Sequence, residues 1–172
     1  VSPLHWALRE INAFYDLLNG VYTDYSFDFG FVAKEVAALK NMAAHIPNPQ
    51  KTILIADRCY GTYGTMLALR EKGIHFLLRT KDIVSNGILA SYGLPNRELD
   101  MDISKRLTYH RGKNYGTAEY AFVSHTGSGV DFSSVDEIPI SFRVVRFEVS
   151  PGKWECLLTD LPRELFTTRE IV

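Results

Sequence analysis

The chain has 172 residues, 46% apolar and 23% charged, with a formal charge of −1. That length and balance fit an ordinary globular domain with a sizeable core. No apolar run approaches the roughly 20 residues a membrane-spanning helix needs, and no signal peptide opens the chain. The near-zero charge leaves any nucleic-acid binding to a local patch. Cys59 and Cys156 lack metal-site spacing, which fits a reducing, cytoplasmic setting. The start at Val1 and a capping signature two residues from the end predict a piece of a longer protein.

Residues 5–18 are rich in aromatic and aliphatic side chains and run into Asn19-Gly20. Asn-Gly between two such runs predicts a hairpin, because both turn positions favour positive φ. The return strand covers about 21–29, with Val21, Thr23, Tyr25, Phe27 and Phe29 facing the core. Tyr22, Asp24, Ser26 and Asp28 form the outward set, and Gly30 ends the strand. Val32, Val36, Leu39, Ala43 and Ile46 then recur at helical spacing, with Lys34, Glu35 and Lys40 turned out, until Pro47-Asn48-Pro49.

The next run, Ile53-Leu54-Ile55-Ala56, is unbroken and ends on Asp57. A run without alternation predicts a strand covered on both faces by helices. Gly61 and Gly64 follow, then a short helix with Tyr63, Met66, Leu67 and Arg70, stopped by Lys72 and Gly73. His75-Phe76-Leu77-Leu78-Arg79 reads as a second strand, so the unit is βαβ and the sheet at least partly parallel.

Beyond Lys81-Asp82 the pattern changes. Residues 83–103 are poorly periodic, and strand-like runs follow at 107–110, 117–124, 140–149 and 154–159. Ser150-Pro151-Gly152 predicts a hairpin turn, and 126–137, with Gly127 and Gly129, an exposed mobile loop. Thr167-Thr168-Arg169-Glu170 is a capping box that opens a final helix.

Asp57 is the sharpest chemical candidate. Ligands gather beyond the carboxyl ends of strands in open α/β sheets, and a hard Mg²⁺ or Mn²⁺ takes carboxylate oxygens. A helix N-cap or a solvated loop acid fits the same spacing, and one carboxylate is not a two-metal site. Asp16, Asp24 and Asp28 read as turn or solvated acids, Glu170 as part of the capping box, and Glu164 remains unassigned. Arg58 is adjacent to Asp57, and Arg79 and Lys81 follow the second strand; each is suited to holding phosphate near Asp57 or to ordinary exposure. Lys105, Arg106, His110, Arg111 and Lys113, interleaved with Tyr109 and Tyr115, form the most basic patch. Such a patch suits a nucleic-acid backbone, and a solvated hairpin face looks the same. Cys59 reads as a small hydrophobe rather than a nucleophile. His5, His45, His75, His110 and His125 show no ligand spacing.

Ile55-Ala56-Asp57-Arg58-Cys59-Tyr60, Tyr63 and the stretch from Glu71-Lys72-Gly73 to Arg79-Thr80-Lys81-Asp82 resemble the DDE transposases of bacterial insertion sequences. The resemblance is to the ribonuclease H-like branch with a β-strand insertion and a Tyr-Arg-Glu-Lys signature. Asn12–Leu18, Tyr22-Thr23-Asp24 and Leu157-Leu158-Thr159-Asp160-Leu161-Pro162 extend it across nearly the whole chain. It implies an α/β fold: a mixed sheet with flanking helices and an inserted β-rich subdomain, truncated at both ends. The core would span 1–82, the insertion 83–150 and the return to the core 151–172.

By the same resemblance, Asp57 is the second acid of an Asp-Asp-Glu triad. The first Asp would lie upstream of Val1, and the Glu, in a Tyr-x-x-Arg-x-x-x-Glu helix, beyond Val172. The implied chemistry is cutting and joining of double-stranded DNA at element ends by a dimer, using two Mg²⁺ ions. Arg58, Arg79, Lys81, Lys105, Arg106, Arg111 and Lys113 would hold the DNA, and this chain by itself would be inactive. Cys59 stands where the family usually has Gly, which strains the loop if that position needs positive φ. Two other readings stay open: a phospho-receiver signalling domain with Asp57 as acceptor, and a non-catalytic DNA-binding remnant.

Overall fold

The computed structural model describes residues 9–29, 35–112, 119–125 and 128–172. His5, Gly30, Val32, Lys34 and Gly127, named above, lie outside that set. The chain divides into two compact units, 1–48 and 49–172.

The first unit is the predicted hairpin and helix. Strands β1 (Arg9–Asp16) and β2 (Val21–Phe29) pair antiparallel, and α1 (Glu35–Ala43) packs on them. The turn differs from the Asn-Gly expectation, because Gly20 has a φ of 69° and no described non-glycine residue is positive. Asp16 holds the turn instead. Its carboxylate accepts from the backbone N–H of Leu18 (2.9 Å) and Asn19 (3.0 Å) and from Asn19 Nδ2 (2.7 Å). The strand faces are also reversed. Asn12 is buried and Asp24 and Ser26 half-buried, while Tyr25 is 65% exposed and Phe27 and Ile11 are similarly open. Period-2 alternation gives two faces but not which one the helix covers.

The second unit is a mixed α/β structure around one six-stranded sheet, in the order β3-β4-β8-β7-β5-β6. Its strands are β3 (Ile53–Ala56), β4 (His75–Thr80), β5 (Leu99–Thr108), β6 (Tyr120–Phe122), β7 (Glu137–Ser150) and β8 (Lys153–Thr159). Strands β3 and β4 are parallel and joined through α2 (Tyr63–Glu71), as the βαβ reading predicts. Thr62 caps α2 through Thr65 N–H at 3.1 Å, and Gly73, at φ 71°, ends the stop that follows. β8, β7 and β5 then extend the sheet antiparallel.

Three expectations are corrected in this unit. Strand β5 begins at Leu99, inside the stretch read as unpatterned; its full register with β7 compensates for weak alternation. The described part of the loop expected at 126–137, from Ser128 on, is anchored as well as exposed, since Val130 and Phe132 are buried. The third correction bears on the site. Strand β3 is not covered on both faces, because Leu54 is buried but Ile55 is 56% exposed.

Alternation along the strands explains this. Leu54, Phe76, Leu78, Cys156, Leu158 and Val144 make the buried side, on which α2 runs along β4. Ile53, Ile55, Leu77, Leu157 and Phe147 make the opposite side. There, the C-terminal segment packs on the β7–β5 half. Arg143, 3% exposed, donates to Asp100 (2.7 and 2.6 Å) and to the Phe166 carbonyl (2.6 Å). Thr168, at the start of α3 (Thr168–Ile171), also donates to Asp100. Glu170 accepts from Thr167 N–H and Oγ1, both at 2.8 Å, in the predicted capping box.

Candidate functional site

Asp57 follows the last residue of β3, in extended backbone (φ −80°, ψ −178°). A single turn of 3₁₀ helix, Arg58–Tyr60, turns the chain back toward α2. Asp57 occupies the N-cap position of that turn but makes no side-chain capping bond. Its side chain is 67% exposed. The capping role left open by the sequence is therefore not what its carboxylate does.

The parallel register places Ala56 beside Leu78, and so Asp57 beside Arg79. Arg79 Nη1 lies 3.2 Å from Asp57 Oδ1. The same guanidinium donates from Nη2 (2.7 Å) and Nε (3.3 Å) to Glu155 on β8. Arg58 Nη2 donates to the same Glu155 oxygen at 2.8 Å. Two arginines thus converge on one carboxylate, and one of them reaches across to Asp57. These bonds hold the Glu155 carboxyl below its usual range, chiefly through the Arg79 hydrogen bonds. Arg79 is raised in turn by Glu155 first and Asp57 last.

Glu155 was not legible as a site residue. It belongs to a short β8 sequence, Lys153–Thr159, and only the β4–β8 pairing brings it beneath Arg79.

Below the charged cluster the open sheet face continues as an apolar cavity of about 350 Å³, lined by Ile55, Leu77, Phe147, Leu157, Ile171 and Val172. Above it, Gly61 makes room for the turn: a Cβ there would stand 2.7 Å from the Arg79 carbonyl oxygen. Cys59 is exposed and outside any disulfide. Since no described non-glycine residue has positive φ, the strain expected of Cys in place of Gly is absent.

The other sequence candidates are dispersed. Lys81 is exposed just past β4. Lys105 and Arg106 alternate on β5 and face opposite sides. The Lys105 ammonium lies 4.8 Å over the Tyr92 ring, and burial pushes its pKa down. Arg106 pairs with Glu119 (3.3 Å) and Glu137 (3.4 Å). Arg111 stacks 4.7 Å over Phe122, and His110 lies 3.6 Å from Asp136. Lys113 and Tyr115 lie outside the described residues. With β8 and β7 between β4 and β5, the two groups are separated by three strand spacings, about 14 Å. The structure therefore joins Asp57, Arg58 and Arg79, and leaves the 105–111 cations elsewhere.

Among the upstream acids, Asp16 is the turn residue described above. Asp24 pairs with His45 at 2.8 Å, which lowers its pKa. Asp28's side chain is outside the described set.

Among the described residues no group of three or more His, Cys, Asp or Glu side chains converges as a metal site. Asp57 does fit one ligand position of a hard divalent cation, which keeps waters and takes one or two carboxylates together with substrate phosphate. It offers an exposed, uncapped carboxylate on a fixed strand end. Comparison with family models and with curated proteins returns no match. No described helix is long and apolar enough to cross a membrane.

Proposed function

We propose that this chain is the central part of a DDE-type transposase catalytic domain with a ribonuclease H-like core. In this reading it supplies the second of three metal-binding acids for cutting and joining double-stranded DNA at insertion-sequence ends. The observation that carries the reading is Asp57 itself: exposed, uncapped and rigidly placed at the carboxyl end of β3, directly across from Arg79. The sequence resemblance supplies the family, and the parallel β3-α2-β4 unit is the frame it requires.

A divalent cation at such a site polarises the scissile phosphate and lowers the pKa of the attacking water or 3′-hydroxyl. The chain's own contribution is narrower. β3 fixes Asp57 in space, and Glu155 fixes Arg79 beside it. Arg58 adds a second guanidinium, a geometry suited to phosphate oxygens. The cations at 105–111 would bind DNA backbone farther away. A single acid does not make a two-metal centre, so this polypeptide by itself should not transfer strands.

The receiver-domain reading is disfavoured by topology, because the sheet turns antiparallel immediately after β4. Two measurements on the purified chain test the proposal. Duplex binding followed by fluorescence anisotropy should weaken steeply with salt, with no strand transfer in Mg²⁺ or Mn²⁺. Incubation with acetyl phosphate should leave the intact mass unchanged. A phosphoryl adduct at Asp57, or no duplex binding at low salt, would overturn the proposal.

A further inference from the structure

Beyond Leu161 the chain leaves the core. Leu161 is 3% exposed, and Asp160 accepts from the Phe76 backbone N–H at 2.8 Å, so the end of β8 is fixed to β4. From 162 to 172 no residue is buried. The bonds that tie this segment to the sheet run to Asp100 and Asp102 on β5 and to Arg143 on β7. Thr168 donates its hydroxyl to Asp100. Arg163 Nη2 lies 3.0 Å from Asp100 and 3.2 Å from Asp102, and the Phe166 carbonyl accepts from Arg143 at 2.6 Å.

The sheet side of this latch is complete without the segment. Arg143 keeps both of its bonds to Asp100, at 2.7 and 2.6 Å, when the segment leaves. The core of Leu78, Val144 and Leu158 lies on the other face of the sheet and is not disturbed. Inside the segment, Leu165 and Phe166 donate their N–H groups to the Pro162 carbonyl, and Glu170 donates to that of Thr167. Turns this short do not persist in water unaided, so these bonds are lost on undocking.

We propose that residues 162–172 form a strap that docks on the open sheet face through Asp100 and opens without unfolding of the sheet. Val145 and Leu157 stand level with Asp100 on that face by register. Ile171 and Val172 line the apolar cavity beside Leu77, Arg79 and Glu155. Opening therefore uncovers the face from β5 up to the arginine–glutamate cluster. The strap does not depend on the reading of Asp57.

The experiment is native-state hydrogen exchange of the full chain, read by mass spectrometry over a series of urea concentrations below the unfolding transition. Amides at 165–170 should exchange faster than those of β7 and β8 and respond far less to urea, as a local opening does. Thr168→Val removes a hydrogen bond to a carboxylate and should speed exchange at 165–170 by about tenfold, leaving β7 and β8 unchanged. Thr168→Ser keeps the hydroxyl and should stay close to wild type. A shared rate and urea slope for the segment and β7 would overturn the proposal, as would an unchanged rate in Thr168→Val. Acceleration of β7 and β8 in Thr168→Val, or free-chain exchange at 165–170 in wild type, would overturn it equally.

Discussion

At the scale of single residues, the site depends on close contacts that a side chain can spoil. Gly61 is the clearest. With a negative φ it is not chosen for a left-handed turn; it is chosen because any Cβ would meet the backbone oxygen of Arg79. Gly61→Ala must push the Arg58–Tyr60 turn off the end of β4, and overpacking of this kind costs about 1–3 kcal/mol. Urea unfolding of the variant should show that loss, with a lowered midpoint and an unchanged slope. Buried arginines make a second set. Arg146, 1% exposed, donates to Asp82 (2.6 and 3.1 Å), Asn96 and the Arg97 carbonyl, and lies 3.9 Å over the Trp154 ring. Asp82→Asn leaves that guanidinium without its counter-charge, and breaking such a pair costs roughly 3–5 kcal/mol. Thermal melting should register it as a drop of many degrees.

Elements show what the sequence did and did not disclose. The βαβ unit was legible because its signals were local: an apolar run, a short helical pattern, and Lys72-Gly73 as a stop. The coverage of β3 was not, since a four-residue strand with no polar position reads alike whether one face or two are packed. The inversion of the hairpin faces has the same origin. Alternation separates Tyr25 and Phe27 from Asp24 and Ser26, and only α1 decides which set is covered. Asp57 was legible as a strand-end acid, whereas Glu155 depended on a β4–β8 pairing some 76 residues apart in sequence. On α2, Tyr63 shares its hydroxyl hydrogen bond with Tyr92, and burial pushes the Tyr63 phenol up to about 12. Tyr92 is pushed higher still, by burial and by Tyr63. Ultraviolet titration should therefore show two tyrosines still protonated at about pH 11, where exposed phenols are ionised. Tyr92→Phe should remove one of them from the late phase and move Tyr63 later, because its hydrogen bond with Tyr92 lowers its pKa.

For the molecule as a whole, charge pairing sets the response to acid. Asp82 and Asp100 both have carboxyl pKa values lowered by arginine hydrogen bonds, from Arg146 and Arg143 respectively. A carboxylate lowered in the folded state binds its proton more readily when unfolded. Its stabilisation is fully present above the unfolded value of about 4 and is lost as pH falls through the lower folded value. Stability of the 49–172 unit should thus be flat from pH 5 to 7 and fall steeply below about pH 4. Circular dichroism melts across that range test this, and Asp82→Asn, already destabilised, should show a shallower acid limb.

The proposed role requires Asp57 to be a metal-binding acid. Fe²⁺ can replace Mg²⁺ at carboxylate sites and, with ascorbate and peroxide, cut the backbone beside it. Mass spectrometry of the treated chain should find cuts clustered at residues 56–61 and 78–81, the two segments that Asp57 and Arg79 bring together. The cuts should disappear in Asp57→Asn and be competed by excess Mg²⁺. Cleavage spread evenly along the chain, or a cluster that persists unchanged in Asp57→Asn, would contradict the proposed role.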